Sequence, residues 1–134
     1  MSRVVFDASA ILAAANNEPG ADIVLRHTAD SIVSTVNLAE AHGRLVERRI
    51  PAKDAWDAAL SFCHEVVSFD TRQARLAGDM VAATQPVGLS LGGRACLALA
   101  TLLKPPVHTT DRMWKRLPFA AEVRLLRQQD HPVQ

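Results

Sequence analysis

Short runs of apolar and β-branched residues alternate along the chain with longer stretches of good helix formers. The short runs predict five strands, at 3–6, 31–35, 66–69, 107–110 and 122–126. The longer stretches predict helices at 8–15, 21–27, 36–49, 51–63, 71–83 and 90–103, with one or two helical turns at 112–117. This alternation predicts an α/β three-layer sandwich around a mostly parallel sheet of about five strands.

The first predicted strand is a continuous apolar run, Val4-Val5-Phe6, that ends at Asp7 and leads directly into a helix. Such a run is typical of a central strand of a parallel sheet that is covered on both faces. Ligands of open α/β sheets bind at the carboxyl ends of the strands, so Asp7 stands where such domains keep their chemistry. Because Asp is also a common N-cap, this stretch alone leaves both roles open.

The composition fits one domain over residues 1–134, with a polar and frayed tail at 128–134. The formal net charge is only +1, so a basic surface for a partner would have to be local. Cys63 and Cys96 lie inside apolar helical patterns, as small core residues of a protein from a reducing compartment do. No signal-peptide pattern and no apolar run of about 18 residues occurs, which predicts a soluble cytoplasmic protein.

Three acidic residues that follow predicted strands are candidates for a common site. Asp7 and Asp111 each end a strand before a helix, and Glu40 lies early in the helix after the second strand. Because the strands are parallel, we expect these carboxylates to meet at one edge of the sheet. Clustered carboxylates are costly unless a cation compensates their charge, and Mg²⁺ or Mn²⁺ suits oxygen ligands. A structural alternative exists for two of the residues, since Asn37 with Glu40 has capping-box spacing and Asp111 can cap the 112–117 turn.

Four segments of the chain together resemble the motifs of PIN-domain ribonucleases, and in particular the VapC toxins of VapBC toxin–antitoxin pairs. The segments are 5–9 (VFDAS), 37–40 (NLAE), 89–98 (LSLGGRACLA) and 109–112 (TTDR). The resemblance implies a Mg²⁺- or Mn²⁺-dependent endoribonuclease that forms homodimers and is held inactive by a VapB-type antitoxin. Asp7, Glu40 and Asp111 match acidic metal-site positions of that family, and Ser9 and Thr109 match its supporting polar positions.

The third motif departs from the family, which carries an aspartate where this chain has Gly93. Glycine offers no side-chain oxygen, and a helical glycine costs about 1 kcal/mol relative to alanine. Two functions follow from the resemblance: an RNA-cleaving toxin that is impaired by Gly93, or a catalytically inactive PIN protein that still binds antitoxin. A phosphoacceptor receiver domain is disfavoured, because no acidic pair follows the first strand and no lysine follows 107–110.

The remaining candidate residues are ambiguous in sequence. Arg44, Arg112 and Lys115 either bind RNA phosphate or form solvated faces, as do Arg48, Arg49 and Arg116. His42 and His108 are expected to pack or to be solvated, because oxygen-rich Mg²⁺ sites do not need imidazole. Trp56 and Trp114 are expected in the core or in an interface. Asp70, at the end of the third strand, is expected to cap the helix that starts at Thr71.

Overall fold

The computed structural model describes residues 3–117 and 122–126. Within these ranges the strands are β1 (Val4–Phe6), β2 (Ser31–Ser34), β3 (Glu65–Val67), β4 (Val107–Thr109) and β5 (Val123–Leu125). The α-helices are α1 (Ala8–Ala15), α2 (Ala21–His27), α3 (Thr35–Glu47), α4 (Ala52–Ser61), α5 (Thr71–Asp79), α6 (Val81–Thr84) and α7 (Leu91–Leu103). Short 3₁₀ turns lie at Thr28–Asp30, Gln85–Val87 and Arg112–Arg116.

The strands form one five-stranded sheet in the order β3-β2-β1-β4-β5, and every neighbouring pair is parallel. β1 is the central strand, with Val5 paired to Ile32 on one side and to Val107 on the other. Its three residues are fully buried, as the continuous apolar run predicts. The predicted α/β three-layer fold is therefore confirmed, and β5 lies at an edge as expected.

The two faces of β1 belong to two separate apolar layers. Val4 and Phe6 pack with α1, α3 and α4 in one layer, whereas Val5 packs with α7 in the other. This division follows from the alternation of side chains along a strand. α7 is buried along most of its length, as its nearly uniform apolar sequence predicts. Both layers reach the carboxyl ends of the strands, where the acidic residues lie.

Several predicted element boundaries were wrong. The strand expected at 66–69 is β3, and it ends at Val67 because the next backbone groups bond elsewhere: the Ser68 carbonyl accepts from Gln73 Nε2 and the Phe69 N–H donates to Thr35. The helix expected at 71–83 is broken at Met80, whose N–H is shared by two carbonyl oxygens as in a tightened turn.

Four further expectations concern the last helical turns, the tail, the cysteines and membrane-spanning helices. The turns expected at 112–117 form the 3₁₀ segment Arg112–Arg116, and the predicted tail at 128–134 lies outside the described residues. Cys63 and Cys96 are free thiols, and Cys96 is fully buried. Among the described helices, none is both long and apolar enough to cross a membrane.

Candidate active site

Asp7 is the most elaborately held side chain at the carboxyl edge of the sheet. It is the N-cap of α1, and its Oδ1 accepts hydrogen bonds from the Ala10 N–H at 3.0 Å and from Ser9 Oγ at 2.6 Å. Its Oδ2 accepts a third bond from Thr109 Oγ1 at 2.6 Å. Asp7 therefore caps the helix and also lines the acidic pocket, so the cap does not exclude a role in a functional site.

The hydroxyls that hold Asp7 also join β1 to β4. Ser9 Oγ accepts from the Thr110 N–H and Thr109 Oγ1 accepts from the Asp111 N–H, each at 3.0 Å. Each hydroxyl thus donates to Asp7 and accepts from the backbone that leads to Asp111, which fixes its orientation. Ser9 and Thr109, which the motif resemblance marks as supporting positions, lie in direct contact with the acid they would support.

Burial, and to a smaller extent the nearby Glu40 carboxylate, raises the pKa of Asp7 from 3.8 to about 6. The bonds from Ser9, Thr109 and Ala10 lower the pKa but do not offset the loss of solvent. Among the described residues no lysine or arginine forms an ion pair with Asp7. The structure therefore holds a buried carboxylate whose charge is hydrogen-bonded but not neutralised, which is typical of functional sites.

The three acids identified in the sequence line one cavity of about 300 Å³. Asp7 lies at its buried end, Asp111 is exposed, and the Glu40 side chain retains 35% of its accessible surface. Asp111 also caps the following 3₁₀ turn, because its Oδ1 accepts from the Met113 N–H at 2.9 Å. Two strand ends and one helix thus bring their carboxylates to the same side of the sheet.

Glu40 is not part of a capping box, so that alternative was wrong. α3 starts one residue earlier than expected and is capped by Ser34, whose Oγ accepts from the Val36 N–H at 3.2 Å. Asn37 lies inside the helix and donates instead to the Gly92 carbonyl at 2.9 Å, which ties α3 to the first turn of α7. The Glu40 carboxylate is left facing the pocket, with Arg44 Nη2 at 4.0 Å.

Gly93 lies in the first turn of α7 and lines the same cavity. Its N–H donates to the N-cap residue Ser90 at 3.3 Å. The position at which the family carries an aspartate therefore faces the other acids, but here it supplies no side-chain oxygen. Its neighbour Gly92 is also constrained, because an added Cβ there would overlap Glu40 Oε1.

The types of donor group in the pocket suit a hard divalent cation, but too few of them come together. Carboxylate and hydroxyl oxygens are the ligands that Mg²⁺ and Mn²⁺ prefer. In residues 3–117 and 122–126, however, no three side chains of His, Cys, Asp or Glu come close enough to hold one metal ion together. The side-chain ligand set is thus short of a complete metal site, and Gly93 stands where a further oxygen would be expected.

A basic groove adjoins the acidic pocket. A second cavity of about 640 Å³ is lined by Arg112, Lys115 and Arg116, and it shares Thr110 and Asp111 with the first cavity. Arg44, a further candidate for RNA binding, lies against Glu40 instead and lines neither cavity. The structure thus places Arg112, Lys115 and Arg116 beside Asp111, whereas Arg44 partners an acid. Arg48 and Arg49 line neither cavity.

His42, His108 and Trp56 pack against other rings, whereas Trp114 lines the acidic cavity. His108 is 2% exposed and lies 5.0 Å from the His27 ring, and burial lowers its pKa to about 4. His42 lies edge-on to Trp56 at 5.4 Å. Trp114 is buried and lines the acidic cavity, whereas Trp56 is half-exposed. Asp70 caps α5 as expected, accepting from the Gln73 N–H at 2.9 Å.

Three residues that line the pocket were not predicted as part of the site. Asn37, Leu89 and Trp114 line the cavity with the acids, and each is there because of packing between elements far apart in the chain. Asn37 was assigned to a cap, although the apolar residues around it indicate a position inside the helix. Leu89 precedes the Ser90 cap, but Arg94 stands where a hydrophobic staple would need an apolar partner, so no sequence signal identified Leu89.

No protein-family model matches the sequence, and no curated protein matches it significantly. Solved structures do match. A chain of DNA-bound VapBC from Salmonella typhimurium has a TM-score of 0.70 at 18% identity, covering 94% of this chain and 99% of the other. A toxin–antitoxin complex from Klebsiella pneumoniae gives a TM-score of 0.69 at 18% identity, with 92% and 97% covered.

VapBC2 from Rickettsia felis, bound to a DNA fragment from its promoter, gives a TM-score of 0.67 at 16% identity, with 91% and 97% covered. At these identities the likeness concerns the fold. It extends over nearly the whole of both chains, so it includes the strand ends that carry the acids. This chain therefore has the PIN-like α/β three-layer fold of the VapBC toxin–antitoxin proteins, the fold that its four motifs implied.

Proposed function

We propose that this protein is a VapC-type toxin: an endoribonuclease, dependent on Mg²⁺ or Mn²⁺, whose activity is impaired by Gly93. One observation carries the proposal: Asp7, Glu40 and Asp111 line one cavity at the carboxyl edge of a parallel sheet, beside a basic groove. Acidic ligands for a cation next to positive charge for a phosphate backbone are what metal-assisted RNA hydrolysis requires. The VapBC fold supports the same class.

Within this proposal the protein's own groups have distinct tasks. Asp7, Glu40 and Asp111 would hold the cation in part through water, because the three side chains do not come close enough to hold it together directly. The cation would supply positive charge beside the scissile phosphate. Ser9 and Thr109 keep the Asp7 carboxylate in one orientation through bonds of 2.6 Å each. A carboxylate held in this way needs no reorganisation when charge develops beside it, which is the usual source of electrostatic catalysis.

The RNA backbone would lie along the groove formed by Arg112, Lys115 and Arg116. This groove meets the acidic pocket at Thr110 and Asp111, so a strand lying in it would pass directly beside the carboxylates. Contacts of this kind bind phosphate without reading the bases. They also predict that binding weakens with rising salt, because each neutralised phosphate releases counterions.

The partner would be a VapB-type antitoxin, and the chain would act as a homodimer in the cytoplasm. The neighbours that support this partner are themselves toxin–antitoxin complexes, including two that are bound to DNA. Sedimentation of the chain alone and after co-expression with the antitoxin encoded beside it tests the assembly. A monomer under both conditions would contradict this part of the proposal.

The test of activity is cleavage of single-stranded RNA with Mg²⁺ or Mn²⁺, together with growth arrest on expression. We expect weak cleavage by the chain as it stands, and a loss of about 10²-fold or more in Asp7→Asn, judged by the effect of removing a positioned electrostatic group. Lys115→Glu should weaken RNA binding, whereas the exposed Lys53→Glu, which lines neither cavity, should not. Cleavage that survives Asp7→Asn would refute the proposed site.

A second function is favoured by Gly93 itself. A chain without the fourth acid could bind antitoxin and regulate the pair without cleaving RNA. The same assays separate the two functions, since this alternative predicts a stable complex with antitoxin but no metal-dependent cleavage and no growth arrest.

A further inference from the structure

We infer that Leu89 is a second determinant of this pocket: its side chain, with the edge of Trp114, fills the space that any side chain at position 93 would need. Gly93 and Leu89 would then act as a pair, and restoring an acid at 93 requires a change at both positions. The packing part of this inference stands on geometry alone. Its consequence for cleavage rests on the proposed function.

The contact distances at Gly93 carry the inference. A Cβ placed on Gly93 would lie 2.6 Å from Leu89 Cγ and 2.8 Å from Leu89 Cδ1. It would also lie 3.2 Å from Trp114 Cζ2. Carbon atoms at optimal separation are about 3.5–4.0 Å apart, so even alanine would not fit unless Leu89 moved.

Leu89 is not free to move away without cost. It is partly buried and packs against the apolar layer that contains Trp114 and Leu97. Its backbone is held on both sides, because its N–H donates to the Thr84 carbonyl at 3.4 Å and the next residue, Ser90, caps α7. Cores of this kind resist added volume, and overpacking them is destabilising.

Other glycines of the chain show that this crowding is local. Gly43 in α3 and Gly78 in α5 are also helical, yet an added Cβ at either would meet nothing within 4 Å. At those positions glycine is dispensable, whereas at position 93 the surrounding side chains have closed on it. The α7 side of the pocket is therefore shaped for glycine, and Gly93 is more than a missing acid in an otherwise unchanged site.

A double-mutant cycle tests the packing without reference to function. We expect Gly93→Ala to lower the Tm by about 5 °C, since overpacking a core is destabilising and a Tm responds by a few degrees per kcal/mol. In a Leu89→Ala background the same substitution should cost less than half as much. Gly78→Ala serves as the matched control and should have the same small effect in both backgrounds. Equal effects of Gly93→Ala in both backgrounds would overturn the inference.

Mn²⁺ binding, measured by titration calorimetry, tests the consequence for the site. We expect Leu89→Ala with Gly93→Asp to bind Mn²⁺ at least tenfold more tightly than Gly93→Asp alone. Equal affinity would overturn the claim that Leu89 blocks an acid at 93. If the double variant binds Mn²⁺ but does not cleave RNA, the proposed nuclease function fails while the pairing of Leu89 with Gly93 stands. If Gly93→Asp folds only in the Leu89→Ala background, the pairing is supported directly.

Discussion

The two walls of the acidic pocket are built on different principles. On the β1 and β4 side, Asp7, Ser9 and Thr109 form a network in which each side chain is hydrogen-bonded at 2.6–3.0 Å. On the α7 side, Gly93 is enclosed by Leu89 and Trp114, and the buried Trp114 Nε1 has no partner among the described residues. The first wall is organised to hold charge, and the second is organised by packing.

The apolar wall stabilises the fold, whereas the polar wall carries the charge that chemistry would need. The polar wall is costly, since burial raises the pKa of Asp7 to about 6 and the charge has no cation beside it among the described residues. The apolar wall contributes to the same core that contains α7 and β1. A site built in this way can keep its fold and lose its function, because the residues that stabilise the fold are not the residues that carry the charge. The predictions below test each wall separately.

Asp7→Asn should have the largest effect on stability, and it should be stabilising at neutral pH. The folded-state pKa of about 6 lies above the ordinary value of 3.8, so the folded protein loses stability as the pH rises between those values. A pKa difference of that size corresponds to at most about 3 kcal/mol. Asparagine keeps the cap without the charge. Urea unfolding in EDTA should show the gain at pH 8 and not at pH 4.

Asp70→Asn is the matched control, because Asp70 caps α5 in the same way from an exposed position. It should change the free energy of unfolding by less than about 0.5 kcal/mol, as exposed substitutions that keep a cap do. If Asp7→Asn were destabilising at pH 8, the charge of Asp7 would stabilise the fold, and the contrast between the two walls would disappear.

The sequence pattern predicted where the acids at the strand ends lie, whereas Ser9 and Thr109 came only from the motif resemblance. Val4-Val5-Phe6 followed by Asp7, and the strand before Asp111, place two acids at one edge because parallel strands end together. The apolar wall could not be predicted in the same way. The contact of Glu40 with Gly92 depends on how closely α7 approaches α3, which no local pattern encodes. Leu89 lies only four residues before Gly93, but Trp114, which closes the same space, comes from a distant segment. Asn37 was assigned to a cap because Ser34, the true cap, lies in the preceding strand.

Gly92→Ala should have an intermediate effect, which comes from the contact between α7 and Glu40. The added methyl would displace the Glu40 carboxylate and crowd Asn37 Nδ2, which lies 3.6 Å away. Alanine gains about 1 kcal/mol in helix propensity, whereas overpacking costs about 1–3 kcal/mol, so we expect a net loss near 1 kcal/mol. Urea unfolding measures it. Gly78→Ala, with open space, should instead be stabilising, and a gain in both variants would show that Glu40 moves freely.

Ser90→Ala should have the smallest effect, and it tests whether the α7 wall depends on polar contacts at all. Ser90 is exposed, and its Oγ accepts from the Gly93 N–H at the long distance of 3.3 Å. Removing an N-cap costs about 0.5–2 kcal/mol, and this weak, solvated cap should fall at the low end. Ser90→Asn should restore the wild-type free energy of unfolding, because asparagine caps equally well. A loss above about 2 kcal/mol in Ser90→Ala would exceed what a cap contributes. It would show that the first turn of α7 is held by the hydroxyl, as α1 is held by Asp7, rather than by the packing of Leu89.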